Sequence, residues 1–456
     1  MRTWTSRAPR AFPAIALLLG LCAGCGDDST GVKDATVDDQ AAPLDDGGPP
    51  PDRAIAMDFT GTNADLTRPP DLTVTPLPDL SSPPPDFAGG CPSLPARLSE
   101  TTVTVAGTVA TSWPITAVGL PGDGAAIAWS TGSAVYFTRV DAQGNRVGSD
   151  VMIPGTSAHG LTASPTGLAS LVRRTPGGGL SDELWLVDAS QSGTVNLDVR
   201  LTGGNTPMLS GNSCVNVGTE WFDGFYRRGR ILWTGTQYAI YFTLQRCWPD
   251  KIAHQGDTYR FYDKAGTAMP QWSWGCSHSL DVRLGQNGTR LAPVCLSDCY
   301  SQKGILLSNN LVLSNEPSGN CAGSSAAGLG GLVASGTSFW LSYTSSEGRA
   351  SSDVGLVEIT QGGAVGARRF LTQDGAADSS AHLTALGGQL LAGWRSGSGA
   401  TTLQLLDASA SPIGAPATVT PPLRQYDDFF TYSSGDAGWV YPSGTQLKVV
   451  RVRRCP

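Results

Sequence analysis

The chain has 456 residues, 40% hydrophobic and 15% charged, with 57 Gly, 31 Pro and a formal net charge of −7. The charged fraction is well below the usual quarter, and the Gly and Pro content suits many short strands joined by tight turns, together with a disordered segment. No apolar run beyond the N-terminus approaches the roughly 20 residues a membrane-spanning helix needs.

Arg2, Arg7 and Arg10 precede a short apolar run at residues 14–21, which ends in Cys22-Ala23-Gly24-Cys25. A positive start, a short apolar core and a small-residue end form an export signal. The last four residues resemble the lipobox of bacterial lipoproteins, with Cys22 standing where that pattern usually has Leu. The resemblance implies that residues 1–24 are a signal peptide and that Cys25 carries a lipid. Several acyl chains, at about 0.8 kcal/mol per buried CH₂, make a durable membrane anchor. The expected location is the cell envelope, at the outer membrane or cell surface.

Residues 26–90 hold 13 Asp and no Glu against Lys33, Arg53 and Arg68, with near-repeats such as Pro70-Asp71-Leu72 and Pro78-Asp79-Leu80. Such a stretch buries too little apolar surface to offset its ordering entropy, and its prolines and like charges extend it. Residues 25–90 are therefore expected to be a lipidated cysteine and a disordered stalk. The negative charge lies in this stalk, leaving residues 91–456 near neutral, so a nucleic-acid partner has no electrostatic basis.

From residue 91 a pattern of about 47 residues recurs. A Gly-containing turn leads into an apolar strand, and a second, alternating strand then ends in Asp with Gly or Ser close behind. Clear copies are Asp123 to Trp129 with Ala134 to Gly144, Leu168 to Arg173 with Leu184 to Ser190, Tyr238 to Thr243 with Tyr259 to Gly266, and Gln389 to Trp394 with Leu403 to Ser409. Asp141 and Asp188 are 47 residues apart, and Asp263 and Asp407 are 144 apart, about three periods. Asp starting a turn and Gly taking positive φ is hairpin chemistry. Four short strands per 40–50 residues is a β-propeller blade. The predicted fold is all-β: a propeller over residues 91–456, with blades at 114–156, 157–203, 228–277, 278–323, 326–374 and 378–421 and an insertion at 204–230. A seventh blade joins 424–456 to the N-terminal alternation around Thr101–Val105; six or eight blades and a pair of β-sandwiches are the alternatives.

Eight cysteines remain after the signal: Cys91, Cys214, Cys247, Cys276, Cys295, Cys299, Cys321 and Cys455. An even count in an oxidising compartment predicts disulfides. Ring closure brings Cys91 to Cys455, a bond that would close a very long loop and so restrain the unfolded chain strongly. The other six should brace the insertion and the two blades after it. The competing reading is a zinc site of Cys276, His278, Cys295 and Cys299.

His159, His278 and His382 each stand just before the first strand of a blade, so three imidazoles could face one axial opening as a metal or anion site. The plainer reading is three hydrogen-bonded turn residues. The densest aromatic and polar cluster comprises Trp221, Phe225, Tyr226 and Arg227 in the insertion, with His254, Asp257, Trp272 and Trp274 in the next blade. Aromatic faces beside polar donors suit a glycan or a protein surface. The chain lacks Gly-x-Ser-x-Gly, His-Glu-x-x-His, a phosphate loop and a dinucleotide fingerprint. No cofactor and no catalytic residue are expected. The leading reading is a monomeric binding or scaffold module for a glycan or protein partner. The alternatives are a propeller hydrolase or lyase of polysaccharide, which needs two carboxylates across a cleft, and a purely structural module.

Overall fold

In the computed structural model the described residues are 91–205, 213–222, 228–270, 276, 278–297, 303–307, 311–315 and 327–455. The chain divides into a unit of residues 1–81, outside the described residues, and one of residues 82–456. Cys25 and the stalk therefore lie outside the described residues, as do Phe225, Tyr226, Arg227, Trp272, Trp274, Cys299 and Cys321.

Seven four-stranded antiparallel sheets form a seven-bladed β-propeller. Blades 1 and 2 span 116–154 and 157–202. Blade 3 begins at Gly229–Trp233, and blades 4, 5 and 6 span 279–315, 328–370 and 379–419. Blade 7 takes three strands from 430–452 and its outermost strand, Leu98–Thr104, from the N-terminus, in antiparallel register from Leu98↔Val452 to Thr104↔Gln446. Cys91 is disulfide-bonded to Cys455 beside this seam, with Cα atoms 5.9 Å apart.

The core is divided among the seams. One cluster of buried apolar side chains fills each of the seven gaps between neighbouring blades. A second strand is thus covered on both faces, so Ala125–Ser130 is buried at all six positions and reads as a continuous run rather than an alternation. At the axis the inner strands crowd. A Cβ on Gly331 would collide with the Leu383 carbonyl oxygen of the next inner strand, and one on Gly119 with that of Thr431. Only glycine permits this approach.

The repeat's Asp is a turn device. Asp141 Oδ1 accepts backbone N–H bonds from Gln143 and Asn145 (3.0 and 2.8 Å), and Asp263 and Asp407 do the same in blades 3 and 6. Those bonds hold the three carboxyls below their ordinary range. Asp188 departs from this role. It is buried inside its strand and accepts the Tyr238 hydroxyl, while Ser190 Oγ takes the turn N–H of Thr194 at 3.0 Å. The turn starts two residues on, at Ser190, whose N–H bonds the Thr194 carbonyl at 2.8 Å as that of Asp141 bonds Asn145.

Candidate functional site

The seven inner strands enter the ring from one face, here called the mouth face. In an antiparallel meander, the turns between second and third strands lie on that face too. Around the axis a cavity of about 180 Å³ is lined by residues of all seven blades, among them Thr116, Gly160, Arg230, Arg283, Thr384 and Asp428. Its charged part is an arginine–aspartate cluster. Arg230 grips Asp428 through Nε–Oδ2 and Nη2–Oδ1, both 3.0 Å, and Arg283 Nε lies 3.9 Å from the same carboxylate. Arg283 also donates to Asp281 Oδ1 (2.8 Å) and to the carbonyls of Gly330 and Leu329 (2.6 and 2.9 Å). Burial would raise the Asp428 carboxyl, but the two guanidinium groups outweigh it and hold it below its ordinary value. Burial lowers Arg230, with Arg283 adding to the effect, whereas Asp281 and Asp428 more than offset the burial of Arg283 and raise it. At the rim, the Arg228 guanidinium stacks 3.5 Å from the Tyr426 ring centre.

Asp427, next to Asp428, is buried and accepts the Ile115 N–H at 2.9 Å; burial pushes it up to about 7. Asp257 behaves likewise: 0% exposed and pushed by burial up to about 7. Tyr241, Ser279 and the Cys276 N–H lie toward it, yet among the described residues no donor reaches hydrogen-bond geometry at either carboxyl oxygen.

The second feature of the mouth face is an outgrowth of blade 3. Strands Gln237–Cys247 and Ala253–Asp263 pair over eleven residues, but inner strand Gly229–Trp233 pairs only as far as Phe242. Five further residues carry the hairpin roughly 16 Å past the end of that pairing. The insertion braces it. Glu220–Trp221 pairs with Arg246 and Gln245, Cys214 is bonded to Cys247, and Ser213 bridges Ile252. Glu220 in turn pairs with the buried Arg260. At the tip Trp248 is 37% and Ile252 44% exposed, with Val215 and Val217 also exposed nearby. His254 meets Trp248 edge-on at 6.1 Å and lies 3.7 Å from Asp250, while the Arg246 guanidinium lies 5.9 Å from the Trp248 ring.

The sequence-chosen residues divide accordingly. His254 is half-buried at the tip. Trp221 is 1% exposed, with its Nε1 donating to Gln245 Oε1 at 2.9 Å, and Asp257 is fully buried. Both are packing groups that present nothing to solvent. Cys276 is bonded to Cys295, so these sulfurs form a disulfide in place of a zinc site. The histidines have separate partners, and His159 and His382 lie within their inner strands rather than just before them, His382 beside the axial charges of Asp428, Arg283 and Arg230. His159 Nε2 meets Ser157 Oγ at 2.8 Å and its ring stands edge-on to Phe222. His278 is a turn residue with φ 53°. His382 stacks on Phe429, and burial pushes it down to about 4. Among the described residues no metal-compatible group contains a histidine. The sequence reading missed the axial arginines, Asp428 and Trp248. The adjacent acids Asp427-Asp428, just before an inner strand, were the one available signal.

No protein-family model matches this chain, and no curated protein matches it in sequence. Solved structures similar to it include the Penicillium chrysogenum α-L-arabinanase (10% identity, 77% of this chain and 98% of that one, TM-score 0.44). Another is the Kuenenia stuttgartiensis hydrazine synthase (15%, 74% and 95%, TM-score 0.47). A third is the Aleuria aurantia lectin (12%, 76% and 93%, TM-score 0.40). At these identities and scores, nothing about this chain's ligand follows from the likeness.

Proposed function

We propose that the ring is a glycan-binding module of an envelope lipoprotein tethered through Cys25, and that it meets its ligand on the mouth face at the blade 3 hairpin tip. The observation that carries this reading is the bracing. A disulfide, a short added strand and a buried ion pair hold aloft a tip that exposes an aromatic ring instead of burying it. A solvent-reaching Trp248 flanked by Arg246, Asp250 and His254 combines an apolar face with polar donors and acceptors, the combination that sugar rings use. Pre-ordering the tip lowers the entropic cost of binding.

A polysaccharide hydrolase is the second reading. It is favoured by Asp427, raised to about 7, standing next in the chain to Asp428, held ionised. Against it, Asp428 is gripped by two arginines, and Asp427 is buried between Ile115 and Arg424.

Screening the purified protein on a glycan array, with reducing-sugar release measured on every ligand bound, tests the proposal. Binding without sugar release is expected. Sugar release turns the account to the hydrolase. Retention of an envelope protein but of no glycan turns it to a protein partner, and no ligand of either kind to a structural module.

A further inference from the structure

Away from the axis, oxygens of Asp353, Asp374 and Asp378 all lie within 4.8 Å of one another. Two chain segments bring them together. Asp353 opens the third strand of blade 5, Asp353–Ile359, while Asp374 and Asp378 lie on the linker from the outer strand Val365–Phe370 to blade 6. The linker is docked there: Asp378 donates its N–H to the Ser352 carbonyl at 2.8 Å. Asp353 and Asp378 are 1% and 4% exposed, whereas Asp374 reaches solvent. Among the described residues the cation paired with this group is Arg349, whose Nε lies 2.7 Å from Asp353 Oδ2. Three carboxylates against one guanidinium leave two negative charges.

A second observation concerns Asp378 itself. Its Oδ2 is buried, and although Thr372 and the Gly397 N–H lie toward the carboxyl, among the described residues no donor reaches this oxygen in hydrogen-bond geometry. Buried charges are normally paired or coordinate a metal, and an orphaned carboxylate oxygen facing two like charges is neither. An all-oxygen carboxylate set suits a hard cation; zinc and copper favour nitrogen and sulfur. Magnesium keeps most of its water, whereas calcium accepts irregular sets of carboxylate oxygens. Two nearly dry carboxylates and one open to water suit calcium.

We propose that Asp353, Asp374 and Asp378 bind a calcium ion that pins the blade 5–blade 6 linker to the third strand of blade 5. The ion braces the mouth face there, as the Cys214–Cys247 bond braces it at blade 3. Remaining coordination positions on the Asp374 side go to water.

The test uses the full chain stripped with EDTA, then titrated with calcium chloride or magnesium chloride while binding heat and thermal unfolding are followed. Saturable binding of one calcium per chain is expected, with a rise in Tm of several degrees and a weaker response to magnesium. Asp374→Asn, on the exposed side, should fold normally and lose both effects. Asp378→Asn should be at least as stable as the wild type in EDTA, because like-charge crowding is relieved, and should not respond to calcium. A wild type indifferent to calcium, a Tm rise of equal size in Asp374→Asn, or an Asp378→Asn less stable than the wild type in EDTA overturns the assignment.

Discussion

Opening the Cys91–Cys455 bond tests how the ring is held shut. The bond joins residues 364 apart in sequence, whereas Cys214–Cys247 joins residues 33 apart. In the chain-entropy account the first contributes about 6 kcal/mol and the second about 4, a difference of about 2 kcal/mol that depends only on the ratio of loop lengths. Both figures are upper limits, because a compact unfolded chain has less freedom to lose. The difference between two bonds in one protein is less affected. The native seam survives the change, since Leu98–Thr104 keeps its seven-residue pairing to the last strand. Urea unfolding of C91S/C455S and of C214S/C247S, each with the other disulfides intact, gives the comparison. The closure variant should lose more stability by about 2 kcal/mol. An equal or smaller loss would show that the seam strand alone restrains the ends, and would refute the entropic reasoning.

Further expectations follow from burial and charge. Asp257 has a folded-state pKa of about 7, raised by burial above its unfolded value. Its proton is favoured in the folded state, so the stability penalty is absent below about pH 4 and grows as pH rises to about 7. Asp257→Asn should therefore raise Tm at pH 8 and leave it nearly unchanged at pH 4; equal shifts at both would contradict this. Asp428→Asn leaves Arg230 and Arg283 facing each other without their shared carboxylate and should cost about 3 kcal/mol in denaturant unfolding. Gly331→Ala drives a methyl into the Leu383 carbonyl at the axis and should cost about 1–3 kcal/mol by the same assay. Trp248→Ala, at an exposed tip, should change stability by less than about 0.5 kcal/mol.

The ring was legible because its punctuation is local. Asp141, Asp263 and Asp407 bond backbone N–H groups two and four residues on, so their spacing marks the blades before any long-range contact is known. Thr360 makes the second of these bonds in blade 5, accepting the Ala364 N–H at 3.2 Å. Asp188 shows the limit of that signal: the 47-residue spacing fell two residues short of the turn, on a side chain buried against Tyr238, while Ser190 made the turn. The axial cluster was not legible. Arg230 and Asp428 are 198 residues apart and meet only because the ring closes. Trp221 and Trp248 look equivalent in sequence, yet Gln245 draws the first into the braced hairpin while the turn leaves the second outside. Sequence spacing places a residue on a blade; which side of a strand extension it occupies depends on the register of pairing.

Binding at the braced tip can be read from a single titration. A glycan retained on the array is titrated into the wild type and into Trp248→Ala, with binding heat as the readout and unfolding run in parallel. The account predicts that the variant keeps its Tm and loses at least tenfold in affinity, about 1.4 kcal/mol. Unchanged affinity in a stably folded variant would place the ligand elsewhere on the ring and contradict the claim.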